Sequence, residues 1–389
     1  MKEKRKKDIF ITAEFFRRNF YIQGEKMIRL GLYGCGRRTQ ALLDALWKDE
    51  FYTVTRAFDL NKSSAEALVQ KYSGSVCNTP EELLAAKDVD AFLISLSPLA
   101  HAEVLKSVIP AGKPIFIEKP VGFTGQEVFD LALLAEKYSV PVQVGFMRRY
   151  LPSTLEALDY IKQHDGGRLL SVDCNWFHHG ATEMNYCLWQ SPDNFRMKVS
   201  QIPFHCCHML DIMLLVGGDI KKVSALTTKV IDRPYPSPDD LIANIEFAGG
   251  TTGRFHYSSM VHYGEMSYRF HFENYSLRLE MNSHNLQINT KPRFHTSEWG
   301  PRPEDPATNF AAQYEKFAQP RSINYDFDQM SFTSENIMYD FVKTVRDGAP
   351  VAANLRTAAK VQGFAEAMEL SGKLGGKVIE LDENGIPLK

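Results

Sequence analysis

The 389-residue chain lacks several features that would assign it to a class of protein at once. It has no apolar run long enough to span a bilayer, so the sequence predicts no membrane-embedded segment. Lysine and arginine nearly balance aspartate and glutamate, and a net charge of −2 gives no general attraction to nucleic acid or a membrane surface. The six cysteines form no Cys-x-x-Cys pair, which favours a reducing compartment over a disulfide framework.

Residues 1–26 form a basic extension ahead of Met27, which starts the first predicted strand. Residues 17–20 read Arg-Arg-Asn-Phe, like the core of a twin-arginine export signal, but no apolar segment follows them. We therefore interpret residues 1–26 as a short extension, helical over 12–21, and expect the protein to be cytoplasmic.

A glycine turn follows the first strand. Residues 27–33 are mostly apolar, as in a parallel strand buried on both faces, and Gly34-Cys35-Gly36-Arg37 then leads into a helical pattern. Glycine permits the tight turn and lets the backbone approach a pyrophosphate at the helix N-terminus. The third fingerprint position is Thr39 instead of Gly or Ala, a small residue that still allows close helix–strand packing. The pattern predicts a dinucleotide site.

An acidic residue ends the second apolar strand, which we predict over 52–58. This residue, Asp59, follows the glycine turn by about 20 residues, the spacing at which an acid accepts hydrogen bonds from both ribose hydroxyls of NAD. Its charge repels the 2′-phosphate of NADP. The sequence therefore predicts NAD as the cofactor, while neighbouring Arg56 and Lys62 leave NADP open.

Further strands at 91–96, 115–117 and 140–145 alternate with helical segments, which predicts an α/β domain over 27–148 with a doubly wound parallel sheet. Glu118-Lys119-Pro120 directly follows the strand 115–117. Ligands bind open α/β sheets at the carboxyl ends of their strands, so Lys119 is expected beside the cofactor. The cofactor-binding residues predicted at this edge are Gly34, Cys35, Gly36, Arg37, Asp59, Ser97, Pro98, His101, Glu118 and Lys119.

The second domain is predicted over 149–389, with an α+β fold and an open-faced, mostly antiparallel sheet whose last helices pack back on the first domain. Its predicted helices are 155–163, 203–217, 334–346 and 356–374. Its predicted strands are 168–177, 221–229, 241–247, 253–260, 268–272, 277–281 and 378–381, with a hairpin turn at Gly249-Gly250. Residues 291–325 are rich in proline and polar residues, and we interpret them as a long loop at a substrate site or interface.

Four adjacent residues, His205-Cys206-Cys207-His208, invite interpretation as a metal site. On a helix they are turned about 100° apart, so they cannot surround one tetrahedral zinc ion. The two cysteines fall on the same face as apolar neighbours and are predicted to be core. We therefore expect no metal.

These motifs together resemble the Gfo/Idh/MocA oxidoreductase family, and the resemblance covers nearly the whole chain from Met27. It rests on Gly34-Cys35-Gly36, Asp59, Ser97-Pro98 with His101, Ala111-Gly112-Lys113, Glu118-Lys119-Pro120, Arg148-Arg149-Tyr150 with Pro152, and His208 with Asp211. The resemblance implies a nicotinamide cofactor in the first domain. It also implies an open sheet in the second domain for substrate and subunit contacts, hence a homodimer or homotetramer.

The resemblance places the catalytic histidine at His208, three residues before Asp211. A neutral imidazole takes the hydroxyl proton while hydride leaves the same carbon, and Lys119 hydrogen-bonds that oxygen. Asp211 or His205 is expected to support the base. Many dehydrogenases of the family carry an aspartate four residues before the histidine, where this chain has Phe204, which cannot share a proton.

The function implied is an NAD(P)-dependent oxidoreductase acting on a secondary alcohol or ketone of a sugar, sugar derivative or cyclitol. Substrate contacts are expected from Lys119, His208, Arg149 and Trp176; for Arg149 a structural role, and for Trp176 a core or interface role, stay open. Two other functions stay open: a redox-neutral NAD-dependent glycoside hydrolase or lyase, and a non-catalytic dinucleotide-binding regulator. The loss of an acid at Phe204 keeps the hydrolase or lyase open, whereas Lys119 and His208 argue against the regulator.

Overall fold

The computed structural model describes residues 9–11, 27–46, 51–179, 199–231, 236–281, 285–290, 321–325 and 329–388. The first described element is a short strand, β1 (Ile9–Ile11), which belongs to the larger of two sheets. The two sheets have six and ten strands. Among the helices described, none combines the length and apolarity needed to cross a membrane.

The smaller sheet is wholly parallel, with the order β4-β3-β2-β5-β6-β7. Its strands are β2 (Ile28–Tyr33), β3 (Tyr52–Phe58), β4 (Ser75–Val76), β5 (Ala91–Ile94), β6 (Ile115–Ile117) and β7 (Val142–Val144). From β2 the chain steps outward to β3 and β4, then crosses back to β5. The carboxyl ends of β2 and β5 therefore flank a topological switch point, where such sheets bind ligands. The predicted doubly wound parallel sheet is confirmed.

Five helices connect these strands. They are α1 (Arg37–Leu46), α2 (Lys62–Tyr72), α3 (Pro80–Ala85), α4 (Pro98–Val108) and α5 (Gly125–Lys137). Their starts follow the usual chemistry of helix N-termini: Thr79 and Thr124 accept hydrogen bonds from the first-turn N–H groups of α3 and α5, and proline opens α3 and α4. Gly112, with φ of 72°, ends the short 3₁₀ turn after α4.

The larger sheet has the order β1-β15-β14-β13-β12-β8-β11-β10-β9-β16 and is mostly antiparallel, with parallel pairs only at β1–β15 and β8–β11 among the pairings described. The remaining strands are β8 (Leu169–His179), β9 (Ile220–Thr228), β10 (Asp240–Phe247), β11 (Thr252–Ser258), β12 (Met260–Phe272), β13 (Tyr275–Glu280), β14 (Asn285–Thr290), β15 (Arg321–Tyr325) and β16 (Ile379–Glu380). The remaining helices are α6 (Pro152–Gln163), α7 (Cys207–Gly217), α8 (Gln329–Asp347) and α9 (Leu355–Lys373).

The two faces of the larger sheet differ in burial. Tyr275, Leu277 and Leu279 of β13 alternate with half-buried neighbours and are themselves buried, so they belong to the core face. On the opposite face Leu226 and Ile242 are 65% and 41% exposed. The predicted open-faced sheet is confirmed.

The last two helices pack against the smaller sheet. Phe341 of α8 meets Phe116 of β6 edge to face, with ring centroids 5.7 Å apart, and both rings are fully buried. Gly363 of α9 lies against Gly125 at the start of α5, so close that a Cβ on Gly125 would lie 2.8 Å from the Gly363 Cα. The core of the parallel sheet is therefore completed by residues from the far end of the chain.

Three sequence expectations need correction here. Residues 321–325, assigned to the long loop, form β15; residues 9–11 of the extension form β1. Strand β12 begins at Met260, well before the predicted start at 268, because it pairs with the long strand β8. Long-range pairing of this kind leaves no local periodicity. The predicted helix over 12–21 and the loop over 291–320 lie outside the described residues.

Candidate active site

The glycine turn requires glycine at one of its two positions and leaves open space at the other. Gly34 has φ of 96°, and a Cβ there would lie 2.2 Å from the Ser95 backbone oxygen. A Cβ on Gly36 would meet nothing within 4 Å, so Gly36 leaves room directly before α1. Thr39 is fully buried, and its hydroxyl donates to the Gly34 carbonyl at 2.8 Å, which explains how threonine occupies the third fingerprint position.

The carboxylate of Asp59 lies beside this turn. Its Oδ2 accepts the Cys35 N–H at 2.7 Å and its Oδ1 accepts the Asn61 N–H at 2.8 Å. The half-buried Asp59 therefore marks the edge of the space before α1, where the ribose of a dinucleotide would lie. Arg37 is exposed at the first position of α1. Burial raises the pKa of the Cys35 thiol to about 12, so its side chain is a packing group, and its N–H is the part that faces the turn.

These observations test whether a dinucleotide fits. Open space at Gly36, the N-terminus of α1, whose first N–H groups have no partner within a helix, and an acid at the end of β3 are together the elements that a dinucleotide needs. On the other side of the switch point, exposed Ser97 and buried Pro98 begin α4. The residues present therefore fit the cofactor that the sequence predicts.

His101 contacts the backbone of two neighbouring loops. Its Nε2 accepts the Leu96 N–H at 3.1 Å, which leaves the proton on Nδ1, and Nδ1 donates to the Pro120 carbonyl at 2.7 Å. Burial lowers the pKa of this imidazole, in keeping with its neutral form. Both nitrogens are used by protein backbone. His101 therefore joins the loop after β5 to the Lys119-Pro120 segment, and it does not point a nitrogen at the cofactor as expected.

Glu118 is bound by an arginine that the sequence argument did not assign. Arg38 Nε donates to Glu118 Oε1 at 2.7 Å, while Glu118 Oε2 accepts the Lys119 N–H at 3.2 Å. A Cβ on Gly145 would lie 3.0 Å from this carboxylate, which is why the chain after β7 passes so close. The pair ties the first turn of α1 to the end of β6 and so fixes the backbone of Lys119.

Lys119 projects from the end of β6 to the start of the α7 region. Its Nζ donates to the Phe204 carbonyl at 3.2 Å and lies 4.7 Å from the centre of the Phe204 ring. Phe204 belongs to a π-helical turn, Ile202–Cys206, that leads into α7; such turns are frequent at functional sites. Burial lowers the pKa of Lys119, and the nearby Arg148 and Arg38 lower it further. Phe204 therefore supplies its carbonyl and its ring to the lysine.

His208, one turn further along, has the properties of a neutral base. The residue is only 7% exposed, its ring lies edge-on to Phe146, and its Nδ1 has no hydrogen-bond partner among the described residues. Burial lowers its pKa well below the usual value, and the charges of Lys119 and Arg148 add to this. The structure thus brings Lys119 and His208 to the same end of the parallel sheet.

Asp211 and Arg149 are paired with each other, which corrects two expectations. Arg149 Nε and Nη2 donate to Asp211 Oδ2 and Oδ1 at 2.7 and 2.5 Å, and Arg149 Nη1 donates to the Ala352 carbonyl. Because both carboxylate oxygens are bound, Asp211 is not placed to relay a proton for His208. Arg149 is likewise a structural contact and not a group that faces substrate.

His205 belongs to an aromatic group beside the base. Its Nδ1 lies 2.6 Å from Gln201 Oε1, and its ring meets that of Trp176 at 5.8 Å. Trp176 in turn contacts His178 and Tyr257. Cys206 and Cys207 are fully buried, as predicted. Within the described residues no three His, Cys, Asp or Glu side chains come together as a metal ion would need.

Sequence reasoning assigned no role to two arginines of the site: Arg38, and Arg148, which belongs to one of the motifs of the resemblance. Arg148 follows the end of β7, and its Nη1 lies 2.9 Å from the Met266 sulfur. Their positions could have predicted them. A charged residue in the first turn after the glycine motif, or soon after a parallel strand, lies on the ligand-binding edge of the sheet.

The parallel sheet with its glycine turn has the features of a dinucleotide-binding domain, and a lysine and a histidine lie at its carboxyl edge. A family model described as the oxidoreductase family, NAD-binding Rossmann fold, matches residues 28–146, and the GFO/IDH/MocA C-terminal domain matches residues 154–278. The two together cover more than half of the chain. The chain belongs to the Gfo/Idh/MocA family, and its first sheet is an NAD-binding Rossmann domain.

Several relatives have curated descriptions. The rhizopine catabolism protein MocA of Rhizobium meliloti is 28% identical over 45% of this chain and 62% of its own length. The inositol 2-dehydrogenase/D-chiro-inositol 3-dehydrogenase of Shouchella clausii is 32% identical over 38% of this chain and 44% of its own. The chain thus spans about half to two thirds of the length of these curated relatives.

Solved structures extend the likeness of fold to almost the whole chain. Levoglucosan dehydrogenase in complex with NADH and levoglucosan superposes with a TM-score of 0.76 at 17% identity, covering 92% of this chain and 100% of the other. At that identity the superposition shows the shared two-sheet architecture.

Proposed function

We propose that the chain is an NAD-dependent dehydrogenase that oxidises a secondary alcohol of a sugar, sugar derivative or cyclitol, or reduces the corresponding ketone. The observation that carries this proposal is the convergence of Lys119 and His208 at the carboxyl edge of the NAD-binding sheet. Family relatives named as inositol dehydrogenases, and a structural neighbour named levoglucosan dehydrogenase, support the substrate class.

His208 is the group that takes the hydroxyl proton. A base must be unprotonated to act, and burial together with the charges of Lys119 and Arg148 keeps the imidazole neutral at physiological pH. Its Nδ1 has no acceptor or donor among the described residues, so the ring is not committed to a protein partner at that atom.

Lys119 holds the same substrate oxygen. An ammonium within reach of the reacting oxygen stabilises negative charge as the proton leaves, and in a buried site this effect is larger than in water. The Phe204 carbonyl and ring hold the Nζ in place from one side, which leaves its other N–H donors for the ligand. When bound, the nicotinamide accepts hydride from the carbon that carries this oxygen.

Asp59 supports NAD over NADP. Its carboxylate stands next to the Cys35 N–H at the far side of the glycine turn, where its charge disfavours a 2′-phosphate. Arg56 is bound to Asp88 through both carboxylate oxygens and is therefore not placed to neutralise such a phosphate.

Nicotinamide absorbance is the direct test. Purified protein is mixed with NAD or NADP and with a panel of sugars, glycosides and cyclitols, and NADH formation is followed together with consumption of the polyol. Net NADH formation with one class of polyol supports the proposal and identifies that class. If the cofactor stays bound while a glycoside is cleaved without net NADH, the redox-neutral glycosidase is the correct function.

A further inference from the structure

The candidate site carries more positive charge than the described residues neutralise. Arg38, Lys119 and Arg148 all lie close enough to affect the charge state of His208. One carboxylate, that of Glu118, is the anion that acts on Lys119, and Arg38 already binds it at 2.7 Å. Of the three cations, Lys119 and Arg148 are therefore left without a carboxylate partner among the described residues.

The side chains around Arg148 do not neutralise its positive charge. Its Nη1 lies 2.9 Å from the Met266 sulfur and 3.3 Å from the Met281 sulfur, and thioethers are weak acceptors. Among the other groups that act on it electrostatically are the thiols of Cys174 and Cys207, which are neutral because burial raises the pKa of both thiols, that of Cys207 to about 11.

Arg149, in the same 3₁₀ turn as Arg148, has a structural role and serves for comparison. Arg149 is held at both ends, by the carboxylate of Asp211 and by the Ala352 carbonyl. Arg148 is half-buried and has no comparable acceptor in the part of the chain described. An anion bound from outside the protein would supply the partner that Arg149 finds in Asp211.

We propose that the substrate carries an anionic group, a carboxylate or a phosphate ester, that Arg148 binds while Lys119 and His208 act on a nearby hydroxyl carbon. The inference rests on the proposed dehydrogenase function and narrows its substrates to acidic sugars or acidic cyclitols. The planar guanidinium offers paired donors that match either anion. The 2′-phosphate of NADP is not this anion, because its place is beside Asp59 on the far side of the glycine turn.

The test compares neutral and acidic partners of the same sugar. NADH formation by the wild-type protein is measured with D-glucose, D-glucuronate and glucose 6-phosphate, and with D-galactose and D-galacturonate. We expect kcat/KM for an acidic member to exceed that of its neutral partner by about tenfold or more. A preference for the uronate identifies a carboxylate, and a preference for the sugar phosphate identifies a phosphate ester.

Two variants of Arg148 and one control locate the effect. In Arg148→Gln and Arg148→Met the acid-to-neutral ratio should fall to near one, chiefly through a higher KM for the acid. Arg56→Gln removes a remote arginine that is paired with Asp88, and it should keep the wild-type ratio. Binding is measured separately by the shift in melting temperature: the preferred acid should raise it for wild type and not for Arg148→Met.

The outcomes separate this inference from the function on which it rests. Equal turnover of neutral and acidic partners, unaffected by Arg148→Gln, would overturn the anion site and leave the dehydrogenase proposal intact. If no sugar yields NADH, the dehydrogenase proposal fails. A thermal shift by the acid that depends on Arg148 would still support the anion site, and its absence would overturn it.

Discussion

Burial controls the charge of the two side chains that we assign to the chemistry. His208 and Lys119 both have pKa values below their ordinary ones, and desolvation is the main cause for each. The two also act on each other, because the lysine ammonium disfavours a second positive charge on the imidazole. A change at one residue should therefore be visible in the titration of the other.

The pH dependence of catalysis follows from this coupling. The neutral imidazole is the active base, and its pKa is lowered, so kcat/KM for alcohol oxidation should fall only below about pH 6.5. Replacing Lys119 with methionine removes a nearby positive charge, so the pKa of His208 should rise and the acidic limb should move to higher pH. The same variant should lower kcat by about 10²–10³.

The measurement is kcat/KM against pH for wild type, Lys119→Met and the control Lys106→Met, an exposed lysine on α4 that pairs with Glu103. An acidic limb that stays in place in Lys119→Met would show that the lysine does not act on the base.

The two glycines of the turn offer a matched pair of substitutions. Gly34→Ala places a Cβ 2.2 Å from the Ser95 oxygen at positive φ, so it should destabilise the fold by at least about 1–3 kcal/mol. Gly36→Ala meets no protein atom within 4 Å, so it should fold normally and weaken NAD binding. Urea unfolding and NAD titration measure the two effects; similar stability losses in both variants would contradict this division.

Single residues differed in how far the sequence could predict them. Gly34, Asp59 and Lys119 belong to motifs whose chemistry is local, and the structure places them where the motifs require. Asp211 was expected to support the base, and Arg149 was left between substrate and structural roles, because each is the other's partner 62 residues away and no spacing rule encodes that pairing.

At the scale of the element, the first two turns of α7 are buried on every side. His208, Asp211 and Ile212 are buried, as are Cys207 and Leu210, although they project in different directions around the helix. Asp211 is therefore a charged residue inside the core, and Arg149 binds both of its carboxylate oxygens and so anchors the helix there.

Removing one partner of the Arg149–Asp211 pair should lower stability more than removing both. Arg149→Met leaves the Asp211 carboxylate buried without its partner, which should destabilise the protein by about 3–5 kcal/mol. The double variant Arg149→Met/Asp211→Leu removes both charges and should recover most of that loss. Urea unfolding of wild type, Arg149→Met, Asp211→Leu and the double variant measures this coupling; an additive double variant would mean that the pair contributes nothing specific.

Strands were predicted best where their neighbours are close in sequence. Strands β3 and β6 were predicted to the residue, and β6 is a short apolar run buried on both faces, as is typical of a parallel sheet. Residues 202–206 were expected to be α-helical and form a π-helix, whose Phe204 carbonyl accepts the Lys119 Nζ donor; sequence periodicity does not reveal such a turn.

At the scale of the whole molecule, the NAD-binding sheet depends on the far end of the chain. Phe341 of α8 packs on Phe116, and Gln143 Nε2 of β7 donates to the Ile337 carbonyl of α8 at 2.9 Å. The core of the NAD-binding sheet therefore includes side chains from α8, far along the chain.

Phe341→Ala should lower stability by about 3–5 kcal/mol, because it opens a cavity beneath the parallel sheet. Leu133→Ala is the matched control, since this side chain on α5 is 45% exposed and should cost far less. Thermal unfolding with and without NAD reports the two variants. An equal effect of both substitutions would show that α8 does not contribute to the core of this sheet.

The pairing of β1 with β15 makes Ile9–Ile11 the outer strand of the ten-stranded sheet, on the side of β15 that has no other strand partner. A strand edge without a partner is a template for pairing with another chain. A protein that begins at Met27 would present the five-residue strand β15 as the edge in place of the three-residue strand β1. It should still bind NAD, and light scattering should show self-association that grows with concentration; a signal equal to that of the full chain would show that β1 does not protect this edge.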